Sequence, residues 1–139
     1  GASSVLIYGA IQSPLAQPRN LVWGHVLSAL VGVTVYQFVP DIIWLSAPLA
    51  VAFSIVLMQY TKTLHPPGGA TALIAVSSTG KIQELGYWYV ISPVLSGCII
   101  LLLVALCFNH ITPNRSYPTH SRFMRLLRKR HAHPHKIKK

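Results

Sequence analysis

Leu64-His65-Pro66-Pro67-Gly68-Gly69-Ala70-Thr71-Ala72-Leu73-Ile74-Ala75-Val76 decides how the chain is read, because it sets a helix-breaking run between apolar segments long enough to cross a bilayer. Pro66 and Pro67 lack backbone donors, Gly68 and Gly69 free φ, and the pattern predicts a short helix that begins only at about Ala70 or Thr71. Irregular backbone at membrane depth carries polar groups that lipid cannot satisfy. It therefore persists only when buried in protein or lining a cavity, which makes the break a candidate site.

Around it, 52% of the 139 residues are apolar and only 10% are charged; mean hydropathy is +0.48. An ordinary soluble domain carries about 25% charged residues. The composition points to an integral membrane protein rather than a soluble α/β protein with buried helices. Uncharged runs over 21–39, 42–60 and about 86–108 approach or exceed the ~20 residues of a spanning helix. The expected fold is all-α: three full transmembrane helices plus two short, broken half-helices. Gly24, Ser28 and Gly32 give the first span a small-residue face for close packing. Trp44 and Tyr60 flank the second as interfacial anchors, and Trp88 anchors the start of the third. Pro48 should kink the second span or mark its first turns. Cys98 and Cys107, nine residues apart in one helix, fall on nearly opposite faces and are not expected to pair.

Asp41 and Glu84 are the only acids, and only Arg19, Lys62 and Lys81 among the basic residues precede Arg115. The net charge of +10 therefore belongs mostly to a tail. The chain divides into a membrane domain, 1–114, and a basic tail, 115–139, in which 123–130 is a candidate surface helix. The positive-inside rule places the tail, Arg19 and Lys62 on the cytoplasmic side and Asp41 outside. The chain must then cross again between Lys62 and Gly86. About six extended residues at ~3.3 Å and eight or nine helical ones at ~1.5 Å give roughly 30 Å, one hydrocarbon thickness.

Gly1-Ala2-Ser3-Ser4-Val5-Leu6-Ile7 echoes Gly69-Ala70-Thr71-Ala72-Leu73-Ile74-Ala75. The charge argument gives these two short helices opposite directions, as in an inverted repeat of the kind found in secondary transporters. A helix that begins inside the bilayer presents unpaired N–H groups and the positive end of its dipole to anions. The candidate substrate-binding residues are accordingly Ser3, Ser4, His65, Gly68, Gly69, Ala70 and Thr71, for a small inorganic anion. His65 can carry a proton beside the anion or simply brace the loop. His25 reads more simply as an interhelical hydrogen-bonding residue. With Arg19 and Lys62 it completes a candidate vestibule.

Other chemistry is thinly represented. No serine or cysteine has a base and orienter arrangement, and both carboxylates sit near predicted loops, so an enzyme is not expected. His131, His133 and His135 alternate in the tail, but the surrounding cations disfavour a divalent metal. No metal and no cofactor is expected. Phe123 and Tyr117 are too sparse for a nucleic-acid stacking platform, and the tail reads as a topology determinant in contact with anionic lipid. The bilayer and a small anion are thus the expected partners. A homo-oligomer is left open beside a monomer. The alternative function is a non-transporting membrane anchor or scaffold whose tail binds lipid or a cytoplasmic partner.

The run His65-Pro66-Pro67-Gly68-Gly69-Ala70-Thr71-Ala72-Leu73, with Ser13-Pro14-Leu15-Ala16-Gln17-Pro18-Arg19-Asn20, Gly1-Ala2-Ser3 and Asn114-Arg115-Ser116-Tyr117-Pro118, resembles the HPP family of integral membrane proteins. The resemblance covers about residues 1–118. It implies a compact multi-helix membrane domain and, because plant plastid members are associated with nitrite transport, a transporter or channel for nitrite or a similar anion. The chain begins at a glycine without an initiator methionine. It is read as a fragment or processed chain that lacks the family's amino-terminal helical region and any CBS domain. Its short tail favours a bacterial inner membrane over a plastid envelope.

Overall fold

The computed structural model describes residues 1–113 and 115–119. The 123–130 segment and His131, His133 and His135 lie outside the described residues. Among those described, the chain is all-helical, with no strand. Helix α1, Ala2–Ser4, widens into a π-helical turn over Val5–Gly9, and a 3-10 turn follows at Pro14–Ala16. Then come α2, Pro18–Phe38, α3, Ile43–Tyr60, α4, Pro67–Ser77, and α5, Lys81–Glu84. A second π-wound stretch, Val90–Leu95, runs into α6, Ser96–Ile111.

Among the described residues three helices are long and apolar enough to span a membrane: Pro18–Phe38, Ile43–Tyr60 and Val90–Ile111. Proline at the first position of α2 has no N–H to waste there, and the helix stops before Pro40 because the residue preceding proline is pushed toward extended backbone. Phe53, Val56, Ile100, Leu103 and Val104 face outward, as lipid-facing side chains do. Both cysteines are free, Cys98 buried and Cys107 exposed.

Two boundaries differ from those the pattern predicts. Helix α4 begins at Pro67, not at Ala70 or Thr71. The proline occupies the first helical position, where a donor is not needed, and both glycines fall inside the first turn. The third span is not one rod: Ser92, at φ −133° and ψ 119°, is non-helical, because Pro93 behind it disfavours the α region.

Packing fixes the directions of the helices. A Cβ built on Gly24 would lie 2.6 Å from His65 Cβ and 3.4 Å from Met58 Sδ, while one on Gly32 would lie 2.7 Å from the Ala72 carbonyl oxygen and 2.8 Å from Ala75 Cβ. Low numbers in α2 thus meet low numbers in α4, so the two run parallel. Met58 near Gly24, and Ala50 in one cluster with Val35, make α3 antiparallel to α2. Leu21 clusters with Ala105 and Ala29 with Val90, so the α6 span is antiparallel as well. Helix α1 runs from Ser3, bonded to His25, down to Ile7, which packs on Leu21 and Ala105. It therefore points opposite to α4.

Arg19, Lys62 and the Tyr117 segment consequently share one end of the bundle. The Arg19 guanidinium donates to the Thr61 carbonyl at 3.2 Å, and the Tyr117 hydroxyl donates to the Ala16 carbonyl at 2.7 Å. Burial pushes the Tyr117 phenol up to about 12, so this tie holds at neutral pH. Asn109 Nδ2 donates to the Ile7 carbonyl at 3.0 Å and Arg115 to the Tyr8 carbonyl at 2.6 Å, fastening the wide end of the first short helix to α6.

The α2–α4 seam leaves no room for a methyl group at Gly32, but the nearest atom to a Cβ at Gly69 is Val51 Cγ1, at 3.6 Å. Gly32→Ala should therefore destabilise the protein by ~1–3 kcal/mol through overpacking, and Gly69→Ala by much less. Thermal unfolding in detergent compares them; equal melting temperatures for the two variants would contradict this packing.

Candidate functional site

The six residues between α3 and α4 climb in extended or turned backbone from the Arg19 end to the level of Gly24. Lys62, at φ 55°, turns the chain out of α3. Asn20 Nδ2 then donates to the Leu64 carbonyl at 2.8 Å, holding this connection beside α2. Gly24 has no side chain, and that is why His65 fits flat against α2: any Cβ there would overlap its own. His65 ends fully buried.

Below it, the Pro14–Ala16 turn supplies a shelf. Ser13 Oγ accepts from the Leu15 N–H at 3.2 Å, and Gln17 Nε2 donates to the carbonyls of Ile11 and Ser13 at 3.1 and 2.9 Å. This leaves the Leu15 carbonyl aimed at His65 Nδ1, 2.8 Å away. From the other side α1 brings Ser3 Oγ to 3.0 Å from His65 Nε2 and 2.8 Å from His25 Nε2. The second nitrogen of His25, Nδ1, lies 2.6 Å from Thr71 Oγ1 in α4. The two imidazoles stand 5.0 Å apart, edge to face. The Tyr89 hydroxyl closes the far side, donating to the Thr71 carbonyl at 3.1 Å.

The direction of every bond follows from one constraint. A carbonyl only accepts, so His65 Nδ1 carries a proton, and in the neutral ring Nε2 must accept. Ser3 has a single hydroxyl proton, which goes to His65 Nε2. Its oxygen then accepts from His25 Nε2–H. That leaves His25 Nδ1 as an acceptor, served by the Thr71 hydroxyl. The chain of donors therefore reads Thr71 to His25 to Ser3 to His65 to the Leu15 carbonyl. Among the described residues no buried side-chain polar atom is left without a partner.

Of the residues singled out from sequence, the structure brings together Ser3, His65 and Thr71, and adds His25 at their centre rather than in a vestibule. Ser3 and Thr71 are equivalent positions of the seven-residue echo, and they bond opposite nitrogens of the same ring. Ser4 is half-buried and takes no part in the network; Ala70 is exposed. Gly68 is where α4 touches α2, its missing Cβ falling 2.8 Å from both the Gly24 carbonyl oxygen and Ser28 Oγ. Gly69 lies against Val51. Arg19 and Lys62 are exposed at the end of the bundle, the former engaged with Thr61.

The expectation of unpaired N–H groups at the tip of α4 is corrected. Pro66 and Pro67 have none, and Gly68 and Gly69 donate to the carbonyls of His65 and Pro66, at 2.8 and 3.1 Å. What the tip offers is its dipole and the Thr71 hydroxyl, not bare amides. The residues missed from sequence are Leu15, through its carbonyl, Asn20 and Tyr89. The dense polar block Ser13–Asn20 held the signal for the first two.

The sequence profile of the HPP transmembrane region matches residues 1–118 of the chain. Two transmembrane proteins of Dictyostelium discoideum are each 48% identical to it, over 120 and 122 residues; both alignments take in 84% of this chain, but only 42% and 38% of those proteins. The chain thus spans less than half the length of these curated relatives. No solved structure matches it. The profile covers nearly all of the described residues, including the Ser13–Asn20 shelf and the His65–Thr71 segment: this chain belongs to the HPP family of integral membrane proteins.

Proposed function

We propose that the chain moves a small inorganic anion, nitrite first among them, across its membrane, with the Arg19, Lys62 and Arg115 end facing the cytoplasm. The observation that carries this reading is the meeting of α1 and α4. Two short helical segments run apart from the level of His25, and hydroxyl and imidazole groups rather than hydrocarbon join them there. The positive end of the α4 dipole points at this spot. Ser3, Thr71, His25 and His65 place no fixed cation at this spot, so a monovalent anion is attracted by the helix dipole without being trapped, the balance that conduction needs. The likeness to a family with nitrite-transporting plastid members points to the same class of substrate. Catalysis is no part of the proposal. Neither carboxylate joins the cluster, and the hydroxyls spend their protons on imidazoles. A passive anchor has no evident use for a buried polar chain of this kind, whose assembly forgoes apolar packing.

The test is nitrite uptake into proteoliposomes. Thr71→Val and His65→Ala each remove a donor to the anion or its scaffold, and the loss of one charge-assisted hydrogen bond, ~1.5–3 kcal/mol, lowers uptake by about tenfold or more. Elution volume and helical content report whether each variant keeps its fold, so that loss of uptake is read only from folded protein. Unchanged nitrite uptake in both variants would remove the site assignment. Ending the chain after Thr119 keeps the Tyr117 and Arg115 ties and should keep uptake. Under the anchor reading, no variant and no unaltered protein would carry nitrite at all.

A further inference from the structure

The donor chain that ends on the Leu15 carbonyl can exist in a second form, with every contact kept and the direction reversed between Thr71 and His65. Let one proton arrive at Thr71 Oγ1. The hydroxyl proton already there passes to His25 Nδ1, the His25 Nε2 proton passes to Ser3 Oγ, and the Ser3 proton passes to His65 Nε2. One proton has entered and one positive charge has appeared, on His65. His65 Nδ1–H still donates to the Leu15 carbonyl, now as a charge-assisted bond. Ser3 donates to His25 Nε2, and His25 Nδ1–H donates to Thr71. No heavy atom needs to move, because the contacts of 3.0, 2.8 and 2.6 Å serve either direction.

The consequence falls on Thr71. In the neutral form its only proton is spent on His25, and its oxygen faces an anion with lone pairs alone. In the protonated form Thr71 accepts from His25 and its own proton is free to donate. We propose that this four-residue relay couples one proton to each anion: the proton taken up at Thr71 comes to rest on His65 and turns the Thr71 hydroxyl outward as the anion's donor. The inference rests on the permeation reading above and adds the coupling to it.

Three features of the site favour this arrangement. His65 is the ring with a carbonyl partner, so it is the better resting place for the charge; His25 has only hydroxyl partners in either form. The rings are 5.0 Å apart, too close for both to be charged, which limits the relay to one proton. The positive tip of α4 lies immediately after His65, so a lone imidazolium there is opposed and an anion beside it relieves the opposition. Proton and anion thus favour each other's binding, and by linkage the effect is mutual. Among the described residues, the groups facing the relay from the elements around it are Tyr89 behind Thr71 and, below on α2, Arg19. Asp41 and Glu84 belong to the opposite end of the bundle and supply no counter-ion.

The tautomers are observable. In protein labelled with 15N at histidine and reconstituted in bilayers, the neutral form should show His25 as the Nε2–H tautomer and His65 as the Nδ1–H tautomer. On acidification His65 should become imidazolium, while His25 stays neutral and exchanges to Nδ1–H. In Ser3→Ala the relay is cut, and His65 should charge without any exchange at His25. His25 retaining Nε2–H while His65 charges in the unaltered protein, or His25 itself becoming the imidazolium, would overturn the proposal whether or not the variant folds. A second arm reads proton and nitrite uptake together in proteoliposomes, with protein-free vesicles subtracted to remove nitrous acid diffusion. One proton per nitrite supports the coupling. Nitrite uptake without protons overturns it and leaves permeation standing. No nitrite uptake at all removes permeation and with it the coupling to an anion, and the tautomer exchange then still decides whether the relay reverses.

Discussion

A histidine ring with both nitrogens engaged, inside a membrane bundle, is the constraint on which the rest of this structure depends. His25 cannot turn without losing a bond to Ser3 or to Thr71, and hydrocarbon offers no replacement. The ring therefore ties α1 to α4 across α2, three elements far apart in sequence. The small residues of α2 make the tie possible. Gly24 admits His65, Ser28 faces Gly68, and Gly32 lets α4 approach to backbone contact. A bulkier face would hold α4 away from α2 and leave His25 short of its second partner.

The irregular stretches serve the same end. The Pro14–Ala16 turn fixes one carbonyl under His65, and Asn20 holds the ascending connection by another. At the bottom of the bundle Asn109, Arg115 and Tyr117 satisfy carbonyls of the first short helix and of the turn after it. The π-wound end of that helix leaves carbonyls without their usual i+4 donors, and Asn109 of α6 and Arg115 beyond it supply substitutes. Polar satisfaction, not apolar area, thus sets where the short helices end, while apolar clusters such as Val35, Ala50, Ala72 and Val76 set how the long ones pack.

Much of this was written in the local pattern. Uncharged runs of spanning length gave the three long helices, and Gly24, Ser28 and Gly32 gave the packing face of α2. The opposite directions of α1 and α4 followed from the placement of Arg19, Lys62 and Asp41. The start of α4 was misjudged because Pro-Pro-Gly-Gly reads as a breaker, whereas proline at the first helical position and glycine in the first turn cost little when buried contact holds them. The bend at Ser92–Pro93 was passed over because the apolar run continues unbroken through the proline, which is what forces Ser92 out of the helix. The central place of His25 was not legible: one histidine on a helix carries no sign of what faces each nitrogen, and those partners come from residues 22 and 46 positions away.

The tie through His25 is open to direct observation by through-space solid-state NMR on the protein in lipid bilayers. Carbon and nitrogen nuclei of the His25 ring should correlate with the Cβ of Ser3 and, across the other ring nitrogen, with the Cβ of Thr71. A His25 ring that correlates with water or lipid and with neither side chain would contradict the account at its root.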